Sequence, residues 1–303
     1  MNRPCIVSFV SVIIIFVFLT TGCMAKRMIE KVTLDARQIV HLGNALHGIA
    51  IDPSTGTLYI GKGGNTIISH TTDGVDSVFT VIPGADGSYT HGKEEVYLFD
   101  IHRRQDGTFL CGAKDRILSI DASGTATTIL DGLFAGTYGV CGVTEDNKGR
   151  IYFSINGRGA FSHSPGEQEP VEIAAIPGSV GLELSPDERY LYVCDDMRDR
   201  LAVIDIQNKK EVTEIPLPFM PEYMLIEGTA LFVKGPLTDS WLEFDISKTS
   251  KPVAVRQYDV TGISRNMYGI QTSVLAHENA AAVLYGTCWD SGELYRVKLP
   301  PRK

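Results

Sequence analysis

Basic side chains are in short supply in this chain: 28 lysines and arginines face 36 aspartates and glutamates, for a formal net charge of −8. No run of basic residues stands anywhere to displace the counterions of a phosphate backbone, which excludes a nucleic-acid partner. Cysteine is scarce, at 6 in 303 residues, and no two are spaced C-x-x-C. That argues against zinc-finger or thioredoxin chemistry. There is no Gly-x-Ser-x-Gly elbow, so hydrolysis by a serine nucleophile has no support. The apolar stretch at residues 6–19 falls short of the roughly 20 residues that a membrane-spanning helix needs.

What the chain does have is a repeat. An aliphatic strand, a polar turn and a second strand recur six times, with second strands at Leu58-Tyr59-Ile60, Phe109-Leu110-Cys111, Ile151-Tyr152-Phe153, Leu191-Tyr192-Val193, Leu231-Phe232-Val233 and Val283-Leu284-Tyr285. The spacing, about 40 to 50 residues, together with an all-strand pattern, predicts an all-β fold, a six-bladed β-propeller. The turns carry Asp52-Pro53-Ser54-Thr55-Gly56, Gln105-Asp106-Gly107, Asp146-Asn147-Lys148-Gly149 and Ser185-Pro186-Asp187-Glu188, residues that supply fixed or positive φ. Third strands alternate cleanly, as in Trp241-Leu242-Glu243-Phe244-Asp245. The last repeat runs out at Pro300 without a fourth strand. Residues 28–34 have no partner of their own, and they are predicted to supply that strand and close the ring, removing an exposed edge. Cys111, Cys141, Cys194 and Cys288 read as unpaired core cysteines, with a disulfide as the alternative in an oxidising compartment.

The first residues read as a leader. Arg3 precedes the uncharged stretch, which ends in Leu19-Thr20-Thr21-Gly22-Cys23. This resembles a bacterial lipoprotein signal, in which a small residue precedes a cysteine that is then lipidated. The resemblance implies a signal peptide over residues 1–22, a propeller over residues 23–303, and a membrane partner reached through lipid on Cys23. The expected location is the cell envelope. Met24, where an inner-membrane retention signal carries aspartate, favours the outer membrane.

The phrase Gly178-Ser179-Val180-Gly181-Leu182-Glu183-Leu184-Ser185-Pro186-Asp187, followed by Tyr190-Leu191-Tyr192-Val193, looks like the inner-strand signature of the gluconolactonase–regucalcin superfamily of six-bladed propellers. That resemblance implies one divalent metal on the axis, held by a glutamate, asparagines and an aspartate at the starts of inner strands. In this chain the glutamate position reads His47-Gly48, the asparagine position Val180-Gly181, and the aspartate position Pro221-Glu222-Tyr223. The third repeat reads Tyr138-Gly139-Val140. Valine cannot coordinate calcium, so a family-type metal is not expected.

Loops at the channel mouth then carry the candidate chemistry, with a small, partly apolar molecule as the expected ligand. The segment 83–95 brings His91, Glu94 and Glu95; other loops bring Asp195, Asp196, Arg265, Trp289 and Asp290. One reading is a hydrolase of a small lactone or ester, with His47 or His91 as general base and Glu94, Glu95 or Glu222 orienting it. Tyr138, Tyr223, Tyr268 and Arg265 would line the ligand. The other reading is a non-catalytic propeller that binds a small molecule or a protein through the same face.

Overall fold

The computed structural model describes residues 29–43, 45–82, 98–133, 139–263, 272–278 and 281–301, and among them it contains strands, turns and loops but no helix. β1 (Glu30–His41) comes first. The first sheet follows as β2 (Leu46–Ile51), β3 (Leu58–Lys62), β4 (Thr66–His70) and β5 (Asp76–Val81). The second sheet is β6 (Leu98–Arg103), β7 (Phe109–Ala113), β8 (Arg116–Ile120) and β9 (Ala126–Leu130). The third is β10 (Val140–Glu145), β11 (Ile151–Ile155), β12 (Gly159–His163) and β13 (Val171–Ala174). The fourth is β14 (Ser179–Leu184), β15 (Tyr190–Asp195), β16 (Arg200–Asp205) and β17 (Lys210–Pro216).

The remaining strands are β18 (Tyr223–Glu227), β19 (Ala230–Lys234), β20 (Ser240–Asp245), β21 (Val253–Thr261), β22 (Thr272–Glu278), β23 (Ala281–Thr287) and β24 (Glu293–Lys298). They form two runs joined through β1 in the order β18-β19-β20-β21-β1-β24-β23-β22. The first half of β1, from Glu30 to Asp35, runs parallel to β21; the second half, from Ala36 to His41, pairs antiparallel with β24. The residues that pair with β24 therefore lie further along the chain than the expected 28–34. Val32 and Leu34 of that first half pack with Tyr258 and Val260 of β21, and Arg256 adds an ion pair to the half-exposed Glu30 at 2.9 Å.

Leading strands touch one another in a closed cycle: β2 meets β6, β6 meets β10, β10 meets β14, β14 meets β18, β18 meets β22, and β22 returns to β2. Between neighbouring sheets lie separate apolar clusters. Leu98, Ile101 and Phe109 pack with Ile67 between the first and second; Tyr192, Leu201 and Val203 pack with Leu231 and Phe244 between the fourth and the β18 run. Leu294 of β24 joins Leu46, Ile60 and Ile68 across the seam to the first sheet. Each such buried side chain contributes about 1.5–3 kcal/mol over exposure, which is how stacked sheets that share no ladder hold together. Cys111, Cys141, Cys194 and Cys288 are all buried and free, so they belong to these interiors rather than to disulfides.

Candidate functional site

One irregularity aims side chains at the axis. In each of the first four sheets the leading strand carries one extra residue near its start, with register shifts at Leu46/Ile49, Leu98/Asp100, Val140/Val143 and Ser179/Leu182. Such bulges bend a strand and redirect the residue they contain. β18 and β22 pair with their neighbours without a shift. In three of these four strands the residue that follows the redirected side chain is a crowded glycine, Gly48, Gly142 or Gly181, while the second carries Asp100 there. A Cβ on Gly181 would lie 2.4 Å from the Glu222 carbonyl oxygen, and one on Gly142 would lie 2.8 Å from that of Val180. This close approach accounts for the recurring X-Gly at the strand starts.

The tier so formed reads His47, Phe99, Cys141 and Val180 in order around the ring, with Glu222 next, just before β18. Phe99, Cys141 and Val180 pack into one apolar cluster. The His47 ring is tilted against Phe99, with centroids 5.4 Å apart, and stands 6.2 Å from Trp289. In the third sheet the tier residue is Cys141, before Gly142. Gly139 has a different role: at φ 72 it turns tightly against the Lys114 carbonyl.

Burial alone pushes the imidazole of His47 down to about 4, so it is neutral and only weakly basic near pH 7. Glu222 goes the other way. Burial first, then the charge of Asp196, raise its carboxyl to about 7 against the opposing pull of Lys234. Its N–H donates to the Lys234 carbonyl at 3.0 Å. Lys234 is buried, and its Nζ donates to the carbonyls of Gly235 and Thr238 at 3.0 and 2.6 Å. Asp196 is raised to about 6 by burial and then by Asp195. Asp195 itself is locked away: with 2% of its side chain exposed, it accepts from Arg200 Nε at 2.7 Å. Arg200 also binds Glu211 at 2.7 Å and Glu214. The pair pins the β15–β16 hairpin, and that hairpin carries Asp196 to the rim.

Deeper in the channel two further carboxyls flank β10. Asp100 Oδ2 accepts the Val143 N–H at 3.0 Å, and Glu183 Oε2 accepts the Thr144 hydroxyl at 3.3 Å. Burial raises Asp100 to about 6; burial and then the Asp100 charge raise Glu183 to about 8. Both residues are half-buried.

His47, Glu222 and Tyr223 thus lie at or beside the leading ends of the strands, His47 with Phe99 and Trp289, and Glu222 with Asp196 and Lys234. His91, Glu94, Glu95, Tyr138, Arg265, Tyr268 and Cys23 lie outside the described residues. Phe99, Cys141, Lys234 and the Asp100–Glu183 pair were not anticipated. Aligning His47-Gly48, Phe99-Asp100, Cys141-Gly142 and Val180-Gly181 as one tier would have found the first two. The tier does not fit a calcium-type centre. Phenylalanine and valine offer no lone pair, and burial holds the Cys141 thiol well above its ordinary range, hence protonated. Among the described residues no three histidines, cysteines or acids gather to hold a metal ion.

Neither a protein-family model nor a curated protein sequence matches the chain. Solved structures do. A gluconolactonase of Xanthomonas campestris superposes with a TM-score of 0.65 at 14% identity, covering 88% of this chain and 89% of its own. Regucalcin of Agrobacterium tumefaciens, described as a calcium-binding protein, gives 0.65 at 14% identity, covering 91% and 98%. Virginiamycin B lyase of Staphylococcus aureus gives 0.60 at 14% identity, covering 89% of each chain. Likeness at this identity concerns the backbone alone, and with the sheets described above it identifies the chain as an all-β protein of β-propeller fold.

Proposed function

We propose that this chain is an envelope lipoprotein, tethered through Cys23, whose body is a six-bladed propeller closed by β1, and that it hydrolyses a small lactone or ester at the channel mouth without a calcium-type centre. The cycle of leading strands and the double pairing of β1 support the blade count and the closure. The gluconolactonase among the neighbours supports the reaction class, by analogy of fold.

The observation that carries the chemistry is Glu222, a carboxyl at the mouth poised at about 7 beside an apolar wall. A base is most effective when its pKa lies near the working pH. As carboxylate, Glu222 takes a proton from water; the hydroxide equivalent adds to the substrate carbonyl carbon. The tetrahedral oxyanion then collapses, the C–O bond to the leaving oxygen breaks, and Glu222 returns the proton to that oxygen. Neutral His47, Phe99 and Val180 hold the hydrocarbon part of the substrate.

A panel of lactones and aryl esters tests this. Glu222→Gln should lower kcat/KM by about 10²–10⁴ and erase an acid limb centred near pH 7, with His47→Ala costing less. Turnover that survives Glu222→Gln with its pH profile intact overturns the mechanism. The apolar cluster of Phe99, Cys141 and Val180 favours a second reading, a binding protein, which saturable ligand binding without turnover across the panel would establish. The tether is checked separately: Cys23→Ala should release the protein from the membrane fraction.

A further inference from the structure

Where the ring closes, at the end opposite the mouth, a cleft of about 620 Å³ opens between the first sheet and the strands that β1 completes. Ile51, Leu58 and His70 line one wall; Tyr285, Arg296 and Arg37 line the other. We propose that this cleft binds an amphipathic monocarboxylate, a carboxyl group carried on a hydrocarbon chain. The site is separate from the mouth and does not depend on the hydrolase reading.

β1 sets two cations side by side. Arg37 stands directly opposite Arg296 in the antiparallel ladder of β1 and β24. Like charges so placed destabilise a sheet. The lining holds one carboxylate to offset them, and Arg296 takes it. Glu278 Oε1 accepts from Arg296 Nε at 3.0 Å, and Oε2 accepts from a terminal nitrogen of the same guanidinium. The Tyr285 hydroxyl donates to that carboxylate as well. The Arg296 hydrogen bond leads in holding the Glu278 carboxyl below its ordinary range, so it stays charged and committed to Arg296. His70 is bound to Asp76 at 2.6 Å, and His277 is bound to Glu227.

Arg37 remains. Among the charged groups that line the cleft it alone has no hydrogen-bond or ionic partner within the described residues. It is also exposed, so its planar fork is within reach of a ligand and matches a carboxylate. The guanidiniums of Arg37 and Arg296 against the carboxylate of Glu278 leave one positive charge over, which one ligand carboxylate cancels. The rest of the lining is largely apolar. A register shift between Gln38 and Val40 makes Ile39 an extra residue in β1, and a bulge re-aims the side chain it carries. Ile39 is 39% exposed and lines the cleft together with Ile51, Leu58 and Leu275. An apolar wall with one convergent charge suits a hydrocarbon chain that ends in an anion, and not a bare inorganic ion.

The test titrates the purified full chain with octanoate, with 1-octanol and with inorganic phosphate. Calorimetry reads the binding, and NMR reads the Arg37 guanidinium signal, assigned by its loss in Arg37→Gln. Expected are saturable binding of octanoate and a shift of the Arg37 signal. Arg37→Gln should weaken octanoate binding about tenfold or more, the effect of losing a charge-assisted hydrogen bond. An Arg37 signal that stays in place at high octanoate overturns the proposal from the wild-type protein alone. So does equal octanoate affinity in Arg37→Gln, which would put the ligand elsewhere, or octanol or phosphate binding as tightly as octanoate.

Discussion

At the mouth and in the channel below it, burial holds carboxyls above their ordinary range: Asp196 and Asp100 at about 6, Glu222 at about 7 and Glu183 at about 8. At the opposite end the same groups lie below it. The hydroxyls of Ser54, Thr108 and Ser123 lead in lowering Asp52, Asp106 and Asp121, and the Asn208 N–H leads in lowering Asp205. The sheets are continuous from end to end, so the difference is not one of fold. Aspartates at the turns accept several local donors in contact with water, which favours the charged form. Acids on the axis lose water without gaining enough donors, which favours the neutral one. One end is tuned for closing turns, the other for holding protons.

The largest expected effect comes from breaking the exception at the mouth end, where an acid is fully paired. Arg200→Met should leave Asp195 buried without its cation and cost about 3–5 kcal/mol in denaturant unfolding. A loss below about 1 kcal/mol would mean that packing, not the pair, holds the hairpin.

Glu183→Gln addresses the unpaired acids. A carboxyl whose folded value is raised contributes its full stability below the unfolded pKa and loses it as pH climbs towards the folded value. Wild type and variant should therefore be alike at pH 4. From there the variant should gain steadily, reaching roughly 2 kcal/mol by pH 8 and levelling off, since channel water screens part of the shift. Melting curves across that range give the answer, and a difference independent of pH would contradict the assignment.

The smallest effect belongs to the turns. Asp52 is lowered, so its contribution is present above the unfolded value of 3.8 and disappears as pH falls through the folded one. Asp52→Ala should cost less than about 1 kcal/mol at pH 7, and the cost should vanish in strong acid. A cost that persists there would point to backbone strain in the turn instead.

Much of this frame was legible in the sequence because it depends on neighbours in the chain. The second strands predicted at Leu58, Phe109, Ile151, Leu191, Leu231 and Val283 all fall inside β3, β7, β11, β15, β19 and β23. The aspartate-led turns close as their composition requires, as at Asp52, where Oδ1 accepts the Ser54 N–H at 2.8 Å. The site was legible only in part. His47, Val180 and Glu222 could be placed at strand starts by their X-Gly or Pro-Glu setting. Phe99 and Cys141 were missed because the second leading strand carries Asp100 where the others carry glycine, and the third offers two glycines, Gly139 and Gly142, three residues apart. Nor could local pattern show that burial would lower His47 and raise Glu222. That depends on which sheets close around them.

β1 has a further consequence, for the order in which the molecule can be completed. It is among the first parts of the body to leave the ribosome, yet both of its partners are made near the end: Glu30 meets Arg256 across 226 positions of chain, and Ala36 meets Val297. Every sheet between them can form while that ribbon waits with its edges bare. Assembly thus ends with a single late stitch between the oldest and newest segments, and contacts so distant in sequence make such a step slow. A chain cut before β21 lacks both partners of β1, so neither half of that strand can pair.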